Sequence, residues 1–235
     1  AKMKPRTTAA VPTSSPTMLV VAQLGVGRAM VVDVTDPAEM RVLDDYSVVP
    51  GGVDIIDLDG RFLMVADRHG GVRLIDASNT AWPVEVDRID YSQEQHHAVY
   101  VQILARDATS DHRGYVVLDD GRVAVVDVVD GRLVETSCCV DLGGGPRHAA
   151  SSPGFLFVSV LGDGEDYIAA VDVSEPTELR LIDPVYVSPR TEHTRFDLAW
   201  SQGMLYGADV KRQELGAWAI DPVTGSVTAE ETVPE

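Results

Sequence analysis

The chain has 235 residues, 45% of them apolar, and carries 37 acidic against 19 basic side chains for a formal net charge of −18. That length and apolar share supply a substantial core and exclude an intrinsically disordered chain. The charge repels phosphate backbones and anionic lipid, so neither nucleic acid nor a membrane surface is expected as a partner.

From the N-terminus, Ala1 to Thr17 holds basic residues with Pro, Ser and Thr but no apolar core, so no signal peptide is expected there. No apolar run approaches a membrane-spanning length. A cytoplasmic protein is expected, with a secreted mature form as the alternative. Beyond this segment, Val-rich runs bounded by Gly, Pro, Asp and Asn recur, which is the pattern of strands and turns, and no apolar period of 3.6 persists for three turns.

The first unit places a strand near Ala10, then MLVVAQ (18–23), MVVDVTDP (30–37) and RVLDDYSVV (41–49). The second runs VDIIDLDGR (53–61), FLMVAD (62–67), VRLIDASN (72–79) and VEVDRIDY (84–91). In the third, a long excursion from His97 leads to GYVVLDD (114–120), VAVVDVVDG (123–131) and LVETSCCVDL (133–142). The fourth reads HAASSPG (148–154), FLFVSV (155–160), IAAVDVSEP (168–176) and LRLIDPVYV (179–187). The fifth reads FDLAWSQG (196–203), MLYGAD (204–209), GAWAIDPVTG (216–225) and SVTAEETV (226–233).

The third strand of each unit ends on an aspartate: Asp33, Asp76, Asp127, Asp172 and Asp221, spaced 43, 51, 45 and 49 residues apart. That period is the length of a propeller blade. The expected fold is all-β, one five-bladed β-propeller of four-stranded antiparallel blades over residues 1–235, with blades near 8–49, 51–92, 96–142, 146–188 and 194–234. A larger ring is the alternative. A carboxylate in every repeat is expected to satisfy turn amides, a structural role. The only cysteines, Cys138 and Cys139, are adjacent and are expected to be ordinary reduced strand residues.

The run VVDVTDP together with DGRFLMVADRHGGVRLIDAS resembles LVIVD-type and YVTN-type propeller repeats over most of the chain. Such repeats occur in surface proteins, lactonase-like enzymes and selenium-binding, copper-dependent propellers, so the resemblance implies a fold and not an activity. It also implies that an inner-strand Asp can serve to hydrogen-bond neighbouring blades.

Chemistry is sought where inner strands line the channel and the loops between strands two and three share a face with those joining blades. Counting back from the second strands puts Asp54, His148 and Asp197 at matching inner-strand positions, with His97 opening the third inner strand and Val11 standing in the first blade. Two imidazoles and two carboxylates, His97, His148, Asp54 and Asp197, are a ligand set for Zn, Fe, Mn or Cu. Without a metal, His97, His148 or His193 can act as acid or base. His96 and His69 fall on the same face, and only His112 falls elsewhere, in a loop on the opposite side. Arg147, Arg195 and Arg68, with His69, are candidates to bind an anionic small-molecule substrate, with Arg28 on the same face; salt bridging to the many carboxylates is the alternative.

The set of histidines reads equally as satisfied structural residues. GGGPRH (143–148) lacks the Lys and Ser/Thr of a phosphate loop, and no nucleotide cofactor is expected. The acidic run GDGED (162–166) is read as a turn before a calcium loop, and Trp200 and Trp218 as core before a sugar platform with Trp82. Two functions are carried forward: a small-molecule enzyme at the channel mouth, metal-dependent or not, of lyase, hydrolase or oxidase type, and a non-catalytic propeller that binds a protein or glycan.

Overall fold

The structure, a computed structural model, describes residues 7–12, 18–23, 28–34, 36, 38–47, 52–57, 61–67, 71–76, 78, 84–91, 98–103, 112–188, 196–209 and 213–234. Among them there is no helix. Among the described residues, twenty strands form five four-stranded sheets, each in chain order.

The first sheet holds β1 (Thr7–Pro12), β2 (Met18–Gln23), β3 (Arg28–Asp33) and β4 (Arg41–Ser47). The second holds β5 (Gly52–Asp57), β6 (Phe62–Asp67), β7 (Gly71–Asp76) and β8 (Val84–Ile89). The third holds β9 (Ala98–Ile103), β10 (His112–Leu118), β11 (Arg122–Val129) and β12 (Arg132–Asp141). The fourth holds β13 (Gly144–Ser152), β14 (Phe155–Gly162), β15 (Asp166–Asp172) and β16 (Arg180–Ser188). The fifth holds β17 (Phe196–Ser201), β18 (Met204–Asp209), β19 (Glu214–Ile220) and β20 (Val227–Pro234). The chain groups into two compact units. One contains the first two sheets with parts of the third, 98–103, 112–116 and 127–134; the other contains 117–126 and everything from Glu135 onward.

In the first unit the inner strands β1, β5 and β9 lie side by side. Every residue of β6 is buried, as are Val72, Leu74 and Ile75 of β7. Strands covered on both faces have no solvent side on which to alternate, which is why Phe62 to Ala66 reads as an unbroken apolar run, whereas β7 admits Arg73, paired with Asp67. The outer strand β8 shows the contrast, with Val84 and Val86 exposed. One polar tie runs from it: the Leu133 amide donates to Asp87 Oδ2 at 2.8 Å.

In the second unit β13 lies beside β17. Phe155, Phe157, Ile168, Leu205, Trp218 and Ile220 form the buried cluster there. Trp200 stacks on Phe157 at 5.7 Å between centroids, and Tyr186 packs against Trp218. Both tryptophans thus serve the core, while Trp82 lies outside the described residues. Burying a ring of this size contributes on the order of 2 kcal/mol or more, so these aromatics anchor the two sheets.

Three of the repeated aspartates, Asp76, Asp172 and Asp221, cap turns. Asp172 accepts the Ser174 amide at 3.0 Å and its hydroxyl at 2.6 Å, and Asp221 accepts the Val223 and Thr224 amides, both at 2.8 Å. Asp76 accepts the Ser78 amide at 2.9 Å and also meets Arg61. These are Asx turns, in which a carboxylate supplies the acceptor that the reversing backbone lacks. The amide bonds from Thr224 and then Val223 hold the Asp221 carboxyl below the usual carboxylate range. Ser78, and after it Arg61, does the same for Asp76.

In the third sheet the strand runs on to Val129, and the chain reverses through Asp130 and Gly131, at φ 52° and 72°. Two left-handed residues in a row are the hairpin turn that suits strand twist. The Asp127 carboxylate takes Arg113 side-on, at 2.7 and 3.0 Å. The side chain of Asp33 is not described.

Two sequence expectations are corrected. His112 is not in a loop but is the first residue of β10, and it is buried, because the apolar strand begins before Gly114. In the first sheet the residue equivalent to Asp54 is Ala9 and not Val11: Ala9 pairs with Ala22, 13 residues on, where Asp197 and Ala208 are 11 apart, so the count back through the first hairpin is two residues longer. Cys138 and Cys139 lie on β12, the outermost strand of its sheet.

Candidate functional site

Strand register places the inner-strand candidates. Asp54 pairs with Ala66, His148 with Ser159 and Asp197 with Ala208, in each case one residue before the end of the second strand or its equivalent. The three therefore hold matching positions, as Ala9 does opposite Ala22. In three of these strands an extra residue precedes the position: Thr8, Val53 and Arg147. Such a bulge bends a strand and re-aims what it carries, and bulges collect at functional rims and sheet edges.

His148 has a defined task. Its Nδ1 accepts the Leu198 amide of the neighbouring inner strand at 3.0 Å. In the neutral ring the proton then sits on Nε2. Acting as a base requires a free nitrogen lone pair, and the one on Nδ1 is engaged. Ligating a metal through Nε2 requires moving the proton to Nδ1, where it would face the Leu198 N–H. The ring in this state is a donor and an interstrand clamp.

Arg147 sits on the bulge and is exposed, and Asp197 is exposed one residue from the Leu198 amide. The structure thus brings His148 to the strand that carries Asp197. The side chain of Asp54 is not described, and His97, His193, Arg195, Arg68, His69 and His96 all lie outside the described residues. Among the described residues no three His, Cys, Asp or Glu side chains gather as a metal group.

A depression of about 520 Å³ opens beside the start of β13, lined by Gly143, Gly162, Asp163, Gly164, Glu165 and Tyr167. Its chemistry comes from the β14–β15 hairpin loop, read from sequence as a turn. Gly162 has no room for a side chain: a Cβ there would lie 2.5 Å from the Glu165 carbonyl oxygen. Asp163 and Glu165 are exposed on the walls. The Tyr167 hydroxyl donates to the Leu142 carbonyl and fixes the floor. Burial, helped by Asp141, pushes that hydroxyl's pKa above its ordinary value, so it stays protonated at neutral pH. Sequence reasoning saw the acidic run but not the depression, because Gly143 and Tyr167 join it only through the folded sheet.

Comparisons with known proteins agree with the fold. The LVIVD repeat model matches residues 50–90, which span the second sheet. A functionally unknown protein from Desulfotomaculum acetoxidans is similar over all of this chain and 72% of its own, at 14% identity and a TM-score of 0.70. A candidate 6-phosphogluconolactonase from Bacteroides uniformis is similar over 94% of this chain and 70% of its own, at 15% identity and a TM-score of 0.71. The Cps50 (Swd1) β-propeller domain of Myceliophteria thermophila covers 88% of this chain and 68% of its own, at 14% identity and a TM-score of 0.57. No curated protein matches the sequence. The chain resembles LVIVD-type β-propellers in fold, and these neighbours differ too much in function to lend it an activity. Among the described residues no helix is long and apolar enough to cross a membrane.

Proposed function

We propose that this chain is a non-catalytic propeller scaffold that binds a basic protein segment at the loop face beside β13. The observation that carries the reading is the His148 ring, which is committed to the backbone of the next inner strand and not to a reacting group. Support for a basic partner comes from the depression, whose walls carry Asp163 and Glu165 and whose lining, among the described residues, includes no Lys, Arg or His. The surrounding net charge of −18 adds long-range attraction for a cation.

The test is calorimetric titration with a Lys/Arg-rich peptide at low and high salt. Binding that weakens with salt and drops about five- to tenfold in an Asp163→Asn/Glu165→Gln variant is expected, at roughly 1 kcal/mol for the exposed pair of carboxylates. Affinity unchanged in that variant would overturn the reading.

A second reading is favoured by Arg147, raised on its bulge next to His148. Here the same face is a small-molecule site: Arg147, Arg195, Arg68 and His69 hold an anionic substrate, and His97, His148 and His193 do the chemistry. A Zn, Fe, Mn or Cu ion would be held by His97, His148, Asp54 and Asp197. Elemental analysis of chelator-free protein and of a His97→Ala/His148→Ala variant decides it. Stoichiometric metal lost in the variant supports a metal site, and no metal in either leaves only the metal-free version.

A further inference from the structure

We infer that the cation taken by the depression beside β13 is a guanidinium, an arginine side chain of the bound segment laid over the Tyr167 ring; this rests on the basic-segment reading above. Tyr167, near the start of β15, is the aromatic side chain in the lining of that 520 Å³ space, and it is half-buried. Its one donor hydrogen is spent on the Leu142 carbonyl, so what it offers a ligand is its ring. A phenol that donates to a carbonyl has a more electron-rich ring, and such a ring attracts a cation over its face.

Two glycines border the ring. A Cβ at Gly162 would lie 3.0 Å from its Cε1, and a Cβ at Gly143 would lie 3.3 Å from its hydroxyl oxygen. A larger residue at either place would crowd the ring, so glycine there keeps it open to the depression. Asp163 and Glu165 stand on either side of Gly164, both exposed on the walls. Ring and carboxylates thus meet in one concave space.

That combination separates the two basic side chains. A guanidinium is flat and weakly hydrated, and its N–H groups lie in its plane. It can lie on a ring and donate to carboxylates at its rim at the same time. An ammonium is a compact, strongly hydrated charge, which keeps its water in an open depression and gains little from the ring. The chain holds a guanidinium of its own in this way. Arg61 Cζ lies 4.5 Å from the centroid of the Phe62 ring while Nη2 meets Asp76 Oδ2 at 3.2 Å. Tyr167 with Asp163 and Glu165 offers a visiting arginine the same two kinds of contact.

The experiment titrates the full chain by calorimetry with two peptides of equal length and charge, one alternating Gly with Arg and the other Gly with Lys. The Arg peptide is expected to bind about three- to fivefold tighter, the size of an exposed contact between a cation and a ring. Equal binding of the two, still weakened by salt, would overturn the guanidinium and leave the basic-segment reading standing. Binding of neither would overturn both. Tyr167→Leu should abolish the preference and Tyr167→Phe should retain most of it; a preference intact in the first, or lost in the second, would refute the ring as its source. A readout on the parent protein needs no variant to fold: the arginine δ-methylene protons of the bound peptide should move upfield in the proton NMR spectrum under the ring current, and unshifted protons would refute the stacking. Arginine amide binding as tightly as the Arg peptide would overturn a protein segment as the source of the guanidinium.

Discussion

The turn after β11 and the turns after β15 and β19 begin from the same residue at the same place in the repeat, and they use it oppositely. Asp172 and Asp221 spend their carboxylates on backbone amides at the surface. Asp127 spends its carboxylate on Arg113 inside the protein, both residues being under a tenth exposed. The difference lies in the next few residues. Ser174 and the Pro222–Thr224 segment form open turns with amides to satisfy, whereas Asp130–Gly131 closes a hairpin that needs no side-chain help. A repeat fixes where a charge stands, and the local turn decides what the charge is for.

That contrast can be broken at several points. The largest effect is expected at Asp127→Ala, which strands a buried guanidinium and should cost about 3–5 kcal/mol in denaturant unfolding. Replacing both partners, Arg113→Met with Asp127→Leu, should recover most of that loss, since an apolar pair of similar volume has no desolvation to offset. A double variant as unstable as the single would show that Asp127 has another task. Next comes Gly131→Ala, which forces a side chain into left-handed backbone and should cost about 1–2 kcal/mol. Asp172→Ala should cost about 1 kcal/mol, the net worth of hydrogen bonds at an accessible turn, and Asp172→Asn should cost less because an amide oxygen can still accept.

The smallest effect is the dependence on pH. The carboxyls of Asp76 and Asp221 are held below their unfolded values, so their contribution is complete above about pH 4 and is lost as the pH falls through the folded values. The melting temperature of Asp76→Ala should lie below that of the parent at pH 7 and converge on it as the pH falls below about 4. Parallel curves across that range would contradict the assignment.

Much of the architecture was legible because periodicity reports repetition. The aspartate spacing and the Val-rich runs located the strands, and the doubly buried β6, β14 and β15 announced themselves as runs without alternation. What periodicity cannot report is how many residues separate the paired positions of a hairpin. Counting back twelve from Gln23 leads to Val11, while the register pairs Ala9 with Ala22, two residues further back than that count allows. It is equally silent on a partner fifty residues away: nothing in GGGPRH says that the histidine will meet the Leu198 amide. The depression escaped for a similar reason, being assembled from a blade junction and a hairpin loop that only the fold makes neighbours.

The bulge at Arg147 has a consequence for how such a protein diversifies. Pro146 and His148 pair with consecutive residues of β14, so position 147 faces no partner and the ladder closes around it. Its side chain is exposed, and substitution there should leave the sheet's stability nearly untouched. The strand thereby separates what it must hold from what it displays. A lineage can rewrite the chemistry of that rim one residue at a time while the His148 clamp beside it keeps the frame.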